Sequence, residues 1–364
     1  MITKKERILL YILICLLYGC QTVLKRDTTR EKLIDDLNEI QGKGILFGHQ
    51  DDLAYGVGWE YIDGESDVKR LTGDYPALFG WELGGIELGR NVNLDSVPFS
   101  KIHDFVVWVN ERGGINTFSW HPYSPIDSVD SWHGDMVVVK HILPGGDFHQ
   151  QFNNQLDIIA AFFLDLKDKS GSSIPFIFRP WHEMDGAWFW WGSNSCTPVE
   201  FQKLFRYTIS YLRNKGLNNM VVAYSPDCNF DSQEKYLQWY PGDAYVDILG
   251  MDNYHDLKQS GGEKNAIDKL HIVIEVAKEK GKLAALTETG LELVNDSTWY
   301  SKKLGAVLSD SVVKENLSYV MVWRNDSEKH FYFPFPGHQA AADAKELLSQ
   351  PNILLLNEFN QIKK

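Results

Sequence analysis

Eight apolar, β-prone runs recur along the chain with room for a helix between most neighbours, and this alternation is the strongest constraint on the fold. The runs are GILFGHQ (44–50), ALFGWEL (77–83), GINTFSWHP (114–122), IPFIFRPWHE (174–183), MVVAYSP (220–226), VDILGMDNY (246–254), LAALTETG (283–290) and SYVMVWRND (318–326). Dense Val, Ile, Leu and Phe marks strands buried on both faces, as in parallel sheets covered by helices. The stretches between them have helical character: SKIHDFVVWVNERG is amphipathic, and PVEFQKLFRYTISYLRNKG opens on Pro198 and closes on Gly216. Eight strands alternating with helices predict an α/β protein of the (β/α)8 TIM-barrel type, and 364 residues suit one such unit.

Each run ends in polar or aromatic residues: His49 and Asp51, Trp81 and Glu82, Trp120 and His121, Arg179 to Glu183, Asp227, Asp252 to Tyr254, Glu288, and Trp323 to Asp326. One such residue could simply cap a strand. Eight sets at eight strand ends point instead to the C-terminal face of a barrel, where active sites lie. The segment from Tyr123 to Gly146 is too long for a routine strand-to-helix connection and is expected on that face.

The N-terminus reads MITKKERILLYILICLLYGCQTV, with Lys4, Lys5 and Arg7 ahead of an apolar run from Ile8 to Tyr18. About 11 apolar residues are too few for a membrane span, which needs roughly 20, but they suit an export signal. Leu17-Tyr18-Gly19-Cys20 resembles a bacterial lipobox, although Tyr18 departs from the usual small residue. The expected organisation is a lipoprotein signal at 1–19, a lipidated Cys20 and tether at 20–32, and one catalytic barrel at 33–364. Plain secretion is the alternative. The mature chain would then sit outside the cytoplasm, on the periplasmic side or cell surface, held to a membrane only by lipid.

A formal net charge of −13 argues against a nucleic-acid partner, which would need Lys/Arg patches. Aromatic residues make up 13% of the chain, including 12 Trp, so some rings are candidates for contacting a ligand. Cys196 and Cys228 stand in different loops and are expected to be free rather than bridged. His49, Asp51 and Asp52 lie close together, but no metal-binding spacing appears and no cofactor is expected. A monomer is expected.

Glu183 and Glu288 stand out because each ends a strongly apolar strand among rings and hydrogen-bonding groups. Glycoside hydrolysis needs such a pair, one carboxyl to protonate the leaving oxygen and one to act opposite it. A carboxyl among Trp181, His182 and Trp188 would be desolvated and kept protonated. Glu288 would be held ionised by donors, for which Tyr254 and Arg179 are candidates.

RPWHEMDGAWFWWG (179–192), YPGDAYVDILGMDNY (240–254) and ALTETG (285–290), in that order, resemble the signatures of glycoside hydrolase family 26, in clan A of the glycoside hydrolases. GHQDDLAYG near the start and SWHP after the third strand are similar too, so the resemblance covers about residues 33 to 350. Most members are β-mannanases acting by a retaining double displacement without a metal. The resemblance implies that Glu183 is the general acid/base, Glu288 the nucleophile and Tyr254 a donor to that nucleophile. It also implies that Trp323 is the platform under the sugar at the cleavage point, with His121 and His182 bonding that sugar. Trp188 would stack at the reducing-side subsite, and Arg324 would touch the next sugar on the non-reducing side. Trp81 and Asp252 are further candidates from their strand-end positions, Glu82 fits such a position too, and Trp190 and Trp191 are expected to be core. The implied substrate is mannan, galactomannan, glucomannan or mannooligosaccharides, attacked internally or with release of mannobiose. Action on β-1,3-xylan or mixed-linkage β-glucan is the alternative within the family, and a non-catalytic glycan-binding protein a remote one. Retention implies carboxyls about 5 to 5.5 Å apart.

Overall fold

The computed structural model describes residues 29–363, so the expected export signal and Cys20 lie outside the described residues. Eight parallel strands form the barrel: β1 (Ile45–Gln50), β4 (Leu78–Glu82), β5 (Ile115–Trp120), β6 (Phe176–Pro180), β7 (Met220–Tyr224), β8 (Ile248–Asp252), β9 (Leu283–Thr289) and β10 (Leu317–Val322). Seven of the expected runs contain one of them whole, and the eighth overlaps β10, which begins one residue earlier. The barrel closes where β10 pairs with β1, Leu46 lying opposite Tyr319 and His49 opposite Val322. Two features not expected from the sequence are a small antiparallel hairpin, β2 (Tyr55–Gly56) with β3 (Trp59–Glu60), and a short strand, β11 (Ile353–Leu354), on the edge of β1.

Alternation along the strands separates two cores. Phe47, Phe79, Phe118, Phe178 and Val222 face the helices, while Leu46, Leu78, Ile177, Val221, Ile248 and Ala285 fill the barrel. Leu33, Leu37 and Ile40, on and just after the helix Thr29–Glu39, join the inner core. The helix Pro198–Asn214 shows how sequence sets the boundaries: Thr197 and Glu200 form a reciprocal capping box, Pro198 occupies the first turn, and Gly216 turns away at φ 104°.

Regular alternation cannot place Glu288. On β9, Ala285 and Thr287 point inward, so Glu288 would face the helices. The register instead shifts, Met251 of β8 pairing with Leu286 and Asp252 with Glu288. This bulge re-aims the carboxyl toward the barrel mouth, a use typical of bulges beside functional sites.

Candidate active site

A cleft of about 890 Å³ opens at the C-terminal ends of the strands. Its lining includes Glu183, Glu288, His121, His182, Trp188, Tyr254, Trp323 and Arg324. Trp132 and Phe189 add further rings to the same wall.

Glu183 leaves β6 through a strained turn. Trp181 and Glu183 have φ of 58° and 54°, in the left-handed region that non-glycine residues avoid, and the Glu183 amide is fixed by the Ser225 carbonyl at 2.8 Å. The Trp188 indole donates to Glu183 Oε2 at 2.7 Å. Gly186 makes this possible, since a Cβ there would stand 2.3 Å from the Trp188 ring. Burial pushes the Glu183 carboxyl well above its ordinary value, and the charges of Asp252, Glu288 and Asp227 push the same way. Such a carboxyl can donate a proton.

Glu288 is supplied with donors instead. The Tyr254 hydroxyl donates to Oε1 at 2.8 Å, and the Arg179 guanidinium donates to Oε2. Arg179 also pairs with Asp252 at 2.7 Å, and Asp252 accepts the hydroxyls of Ser225 and Thr287, each at 2.7 Å. Burial works against the Arg179 charge, but the two carboxylates outweigh it and raise its pKa further. Arg179 and Asp252 are thus a buried pair behind Glu288 and do not line the cleft.

A second relay starts at Glu82. Its carboxylate accepts from the His121 amide and Nδ1, both at 2.8 Å, from the Gly84 amide at 2.6 Å and from the Ser119 hydroxyl at 2.5 Å. Burial opposes ionisation, yet His121 and these donors prevail and hold Glu82 at about 2. Burial likewise opposes charge on His121, and Glu82 outweighs it, so its pKa is raised. His182 meets His121 with the Nε2 atoms 3.1 Å apart, and is kept neutral by burial, with Arg179 and His121 adding repulsion.

Some expected site residues lie elsewhere. Trp81 is fully buried on the helix side, stacked on Phe105 and donating to Asn116 at 2.8 Å, because its strand position faces outward while Glu82 faces in. It is core and not a sugar platform. Trp181 also points away from Glu183, donating to Thr208 at 3.1 Å and packing edge-on against Trp190 and Trp191. Trp190 and Trp191 are buried, and Cys196 and Cys228 are free thiols.

Two contributors were not singled out from the sequence. Trp132, in the long third loop, is 61% exposed and stacks near His121 with ring centroids 6.3 Å apart. Its only sequence signal is an aromatic residue in an overlong loop. Asp95 pairs with Arg324 at 3.0 Å while its side chain is 2% exposed, and its Oδ2 has no hydrogen-bond partner among the described residues. Asn93 shapes that loop by accepting from the Asp95 amide at 3.0 Å and the Val97 amide at 2.8 Å. No group of three or more His, Cys, Asp and Glu side chains among the described residues is arranged to hold a metal.

The family model described as glycosyl hydrolase family 26 matches residues 24–305. A mannan endo-1,4-β-mannosidase of Bifidobacterium adolescentis is 31% identical over 92% of this chain and 35% of its own length. One from Bacillus subtilis is 31% identical over 66% of this chain and 64% of its own. The chain thus spans about a third of the first of these relatives and just under two thirds of the second. Among solved structures, a β-mannanase of family 26 from Bacteroides ovatus is similar with a TM-score of 0.88 and 41% identity, covering 92% of this chain and 97% of that one.

Proposed function

The chain belongs to glycosyl hydrolase family 26, and on that premise we propose that it hydrolyses β-1,4-mannosidic bonds in mannan by a retaining double displacement. One observation carries the reading: two carboxyls share one cleft in opposite electrostatic settings, Glu183 driven toward its protonated form and Glu288 fixed by two donors. Glu288 attacks the anomeric carbon as Glu183 protonates the departing oxygen, giving a glycosyl-enzyme. Glu183 then takes a proton from water, which releases the sugar.

The neighbours have consistent parts. Tyr254 and Arg179 orient Glu288 and disperse its charge. Trp323 offers an apolar face to the sugar at the cleavage point, His121 and His182 face its hydroxyls, and Trp188 covers the leaving side while holding Glu183. The mannan specificity is supported by the names of the relatives above.

Proton NMR of early products from linear β-1,4-mannan tests the reaction. Initial product with the β configuration is expected, and α product would overturn the nucleophilic role of Glu288. Parallel incubations with β-1,3-xylan and mixed-linkage β-glucan test the substrate. The Cys20 motif supports export and lipid attachment, and the catalytic unit is expected to act as a monomer. Mass spectrometry of the mature N-terminus checks the first: an unmodified Cys20 or a different cleavage point would exclude the anchor.

A further inference from the structure

The strands of the barrel run in the circular order β1, β4, β5, β6, β7, β8, β9, β10, so β7 stands directly across the mouth from β1. Arg324 and Asp95, paired at 3.0 Å, join the loops after β10 and β4 on either side of β1. With Arg324 on the non-reducing side, as the family resemblance implies, a sugar chain crossing the mouth leaves it over the end of β7. Asp227 and Asn229 follow that strand and line the cleft there. We infer that these two side chains bind hydroxyl groups of the departing sugar, on the reducing side of the bond that is cut. The inference rests on the proposed mannanase activity and deepens it by naming polar determinants of the leaving side.

The pair is built into the same frame as the acid. The Glu183 amide donates to the Ser225 carbonyl at 2.8 Å. Asp185, two residues after Glu183, accepts from the Asp227 amide at 2.7 Å and from the Asn229 amide at 3.3 Å. These bonds zip the turn after β7 to the segment that carries Glu183 and Trp188. Asn229 Nδ2 donates to Asp227 Oδ2 at 3.0 Å, which fixes one side chain against the other. Groups held in this way lose little freedom when a ligand binds.

Their chemistry complements the neighbouring ring. Trp188 offers an apolar face, and a pyranose resting on it presents hydroxyls at its edges, where a carboxylate and an amide are fitting partners. Asp227 is only 8% exposed, and no ion pair neutralises it among the described residues. Burial raises its pKa, a setting that a hydroxyl donating to it would relieve. Asn229 is exposed, and its Oδ1 accepts no hydrogen bond among the described residues.

The test compares kcat/KM on mannotetraose, whose leaving group is a sugar, with kcat/KM on an aryl mannobioside, whose leaving group is a phenol. Both are measured on the acid side of the pH profile. The Asp227 charge helps to raise the Glu183 pKa, and its loss would mimic a binding defect at higher pH. The ratio of the two values should fall by about 10-fold or more in Asp227→Ala, as for loss of a hydrogen bond to a charged group, and by about 3-fold in Asn229→Ala. A ratio at the parental value in either variant would overturn the assignment of the pair. If Asp227→Ala does not fold, the exposed Asn229 decides alone. A parent inactive on both substrates would overturn the proposed function and this inference with it, whereas an active parent with unmoved ratios in the variants overturns the inference alone.

Discussion

The Trp188 indole Nε1 lies 2.7 Å from Glu183 Oε2 and donates to it. This bond favours the ionised form and so restrains a pKa that burial raises well above the ordinary range. In the proposed mechanism Glu183 must be protonated for the first step, so activity is retained below its folded pKa and falls as pH rises through it. Trp188→Phe removes the restraint. The alkaline limb of kcat/KM should move up by roughly half a unit to one unit, as expected for loss of one hydrogen bond. A downward movement in the measured pH profile would contradict the acid role.

Removing the acid itself should separate substrates by leaving group. Glu183→Ala is expected to lower kcat on mannan by about 10² to 10⁴. An aryl mannobioside whose phenol departs without protonation should lose far less in the first step and should accumulate the glycosyl-enzyme. Steady-state kinetics with mass spectrometry of the trapped protein checks both.

Tyr254 presents its hydroxyl to Glu288 Oε1 at 2.8 Å, on the opposite oxygen from Arg179. Tyr254→Phe keeps the ring and deletes the donor. A hydrogen bond to a charged group is worth about 1.5 to 3 kcal/mol, so a loss of roughly 10- to 100-fold in kcat/KM is expected with little change in unfolding midpoint. Arg179→Met should behave differently: it leaves Asp252 and Glu288 buried without their cation and should cost stability as well, about 3 to 5 kcal/mol in chemical denaturation.

The barrel was legible because each strand is a compact apolar run, and the two glutamates because each stands at or just past the end of such a run. Orientation was harder to read. Trp81 and Glu82 are adjacent at the end of β4, and simple alternation sends the carboxyl inward and the indole to the helices. Glu288 breaks the same rule through a register shift that no local pattern announces. Asp95 was invisible because its significance depends on Arg324, more than two hundred residues away in sequence. The partners of Arg179, on β8 and β9, likewise come from tertiary closure.

Asp51 offers a test of stability rather than turnover. Its carboxyl is fully buried, accepts the Tyr55 hydroxyl at 2.6 Å and is pushed up to about 8, by burial first and by Asp95 second. A carboxyl whose folded pKa exceeds its unfolded value contributes stability that is present at low pH and lost as pH rises toward the folded pKa. Asp51→Asn can still accept from Tyr55 but does not titrate. Relative to the parent, the variant should therefore gain stability between about pH 4 and pH 8 and hold the gain above that, to the order of a few kcal/mol. Urea denaturation at pH 5 and pH 9 checks this, and a gap that narrows with pH would refute it.

The Asp95–Arg324 pair bears on how the proposed mannanase attacks a polymer. Arg324 follows β10 and Asp95 sits in the loop after β4, so their 3.0 Å contact joins two loops that flank β1. Asp326 at 3.6 Å and the Tyr55 hydroxyl at 3.3 Å hold the guanidinium in the same place. Both residues line the cleft, and a sugar chain cannot pass between groups in hydrogen-bond contact. With Arg324 on the non-reducing side, as the family resemblance implies, the chain is stopped there and short products, chiefly mannobiose, should dominate from the earliest times. Asp95→Gly removes one side of the bridge. Its early digests of linear mannan should contain a wider ladder of mannooligosaccharides, and viscosity should fall faster for each bond cleaved. Chromatography of time points from both proteins decides the matter: a broad ladder from the parent at the outset would mean that the pair binds sugar without closing the cleft.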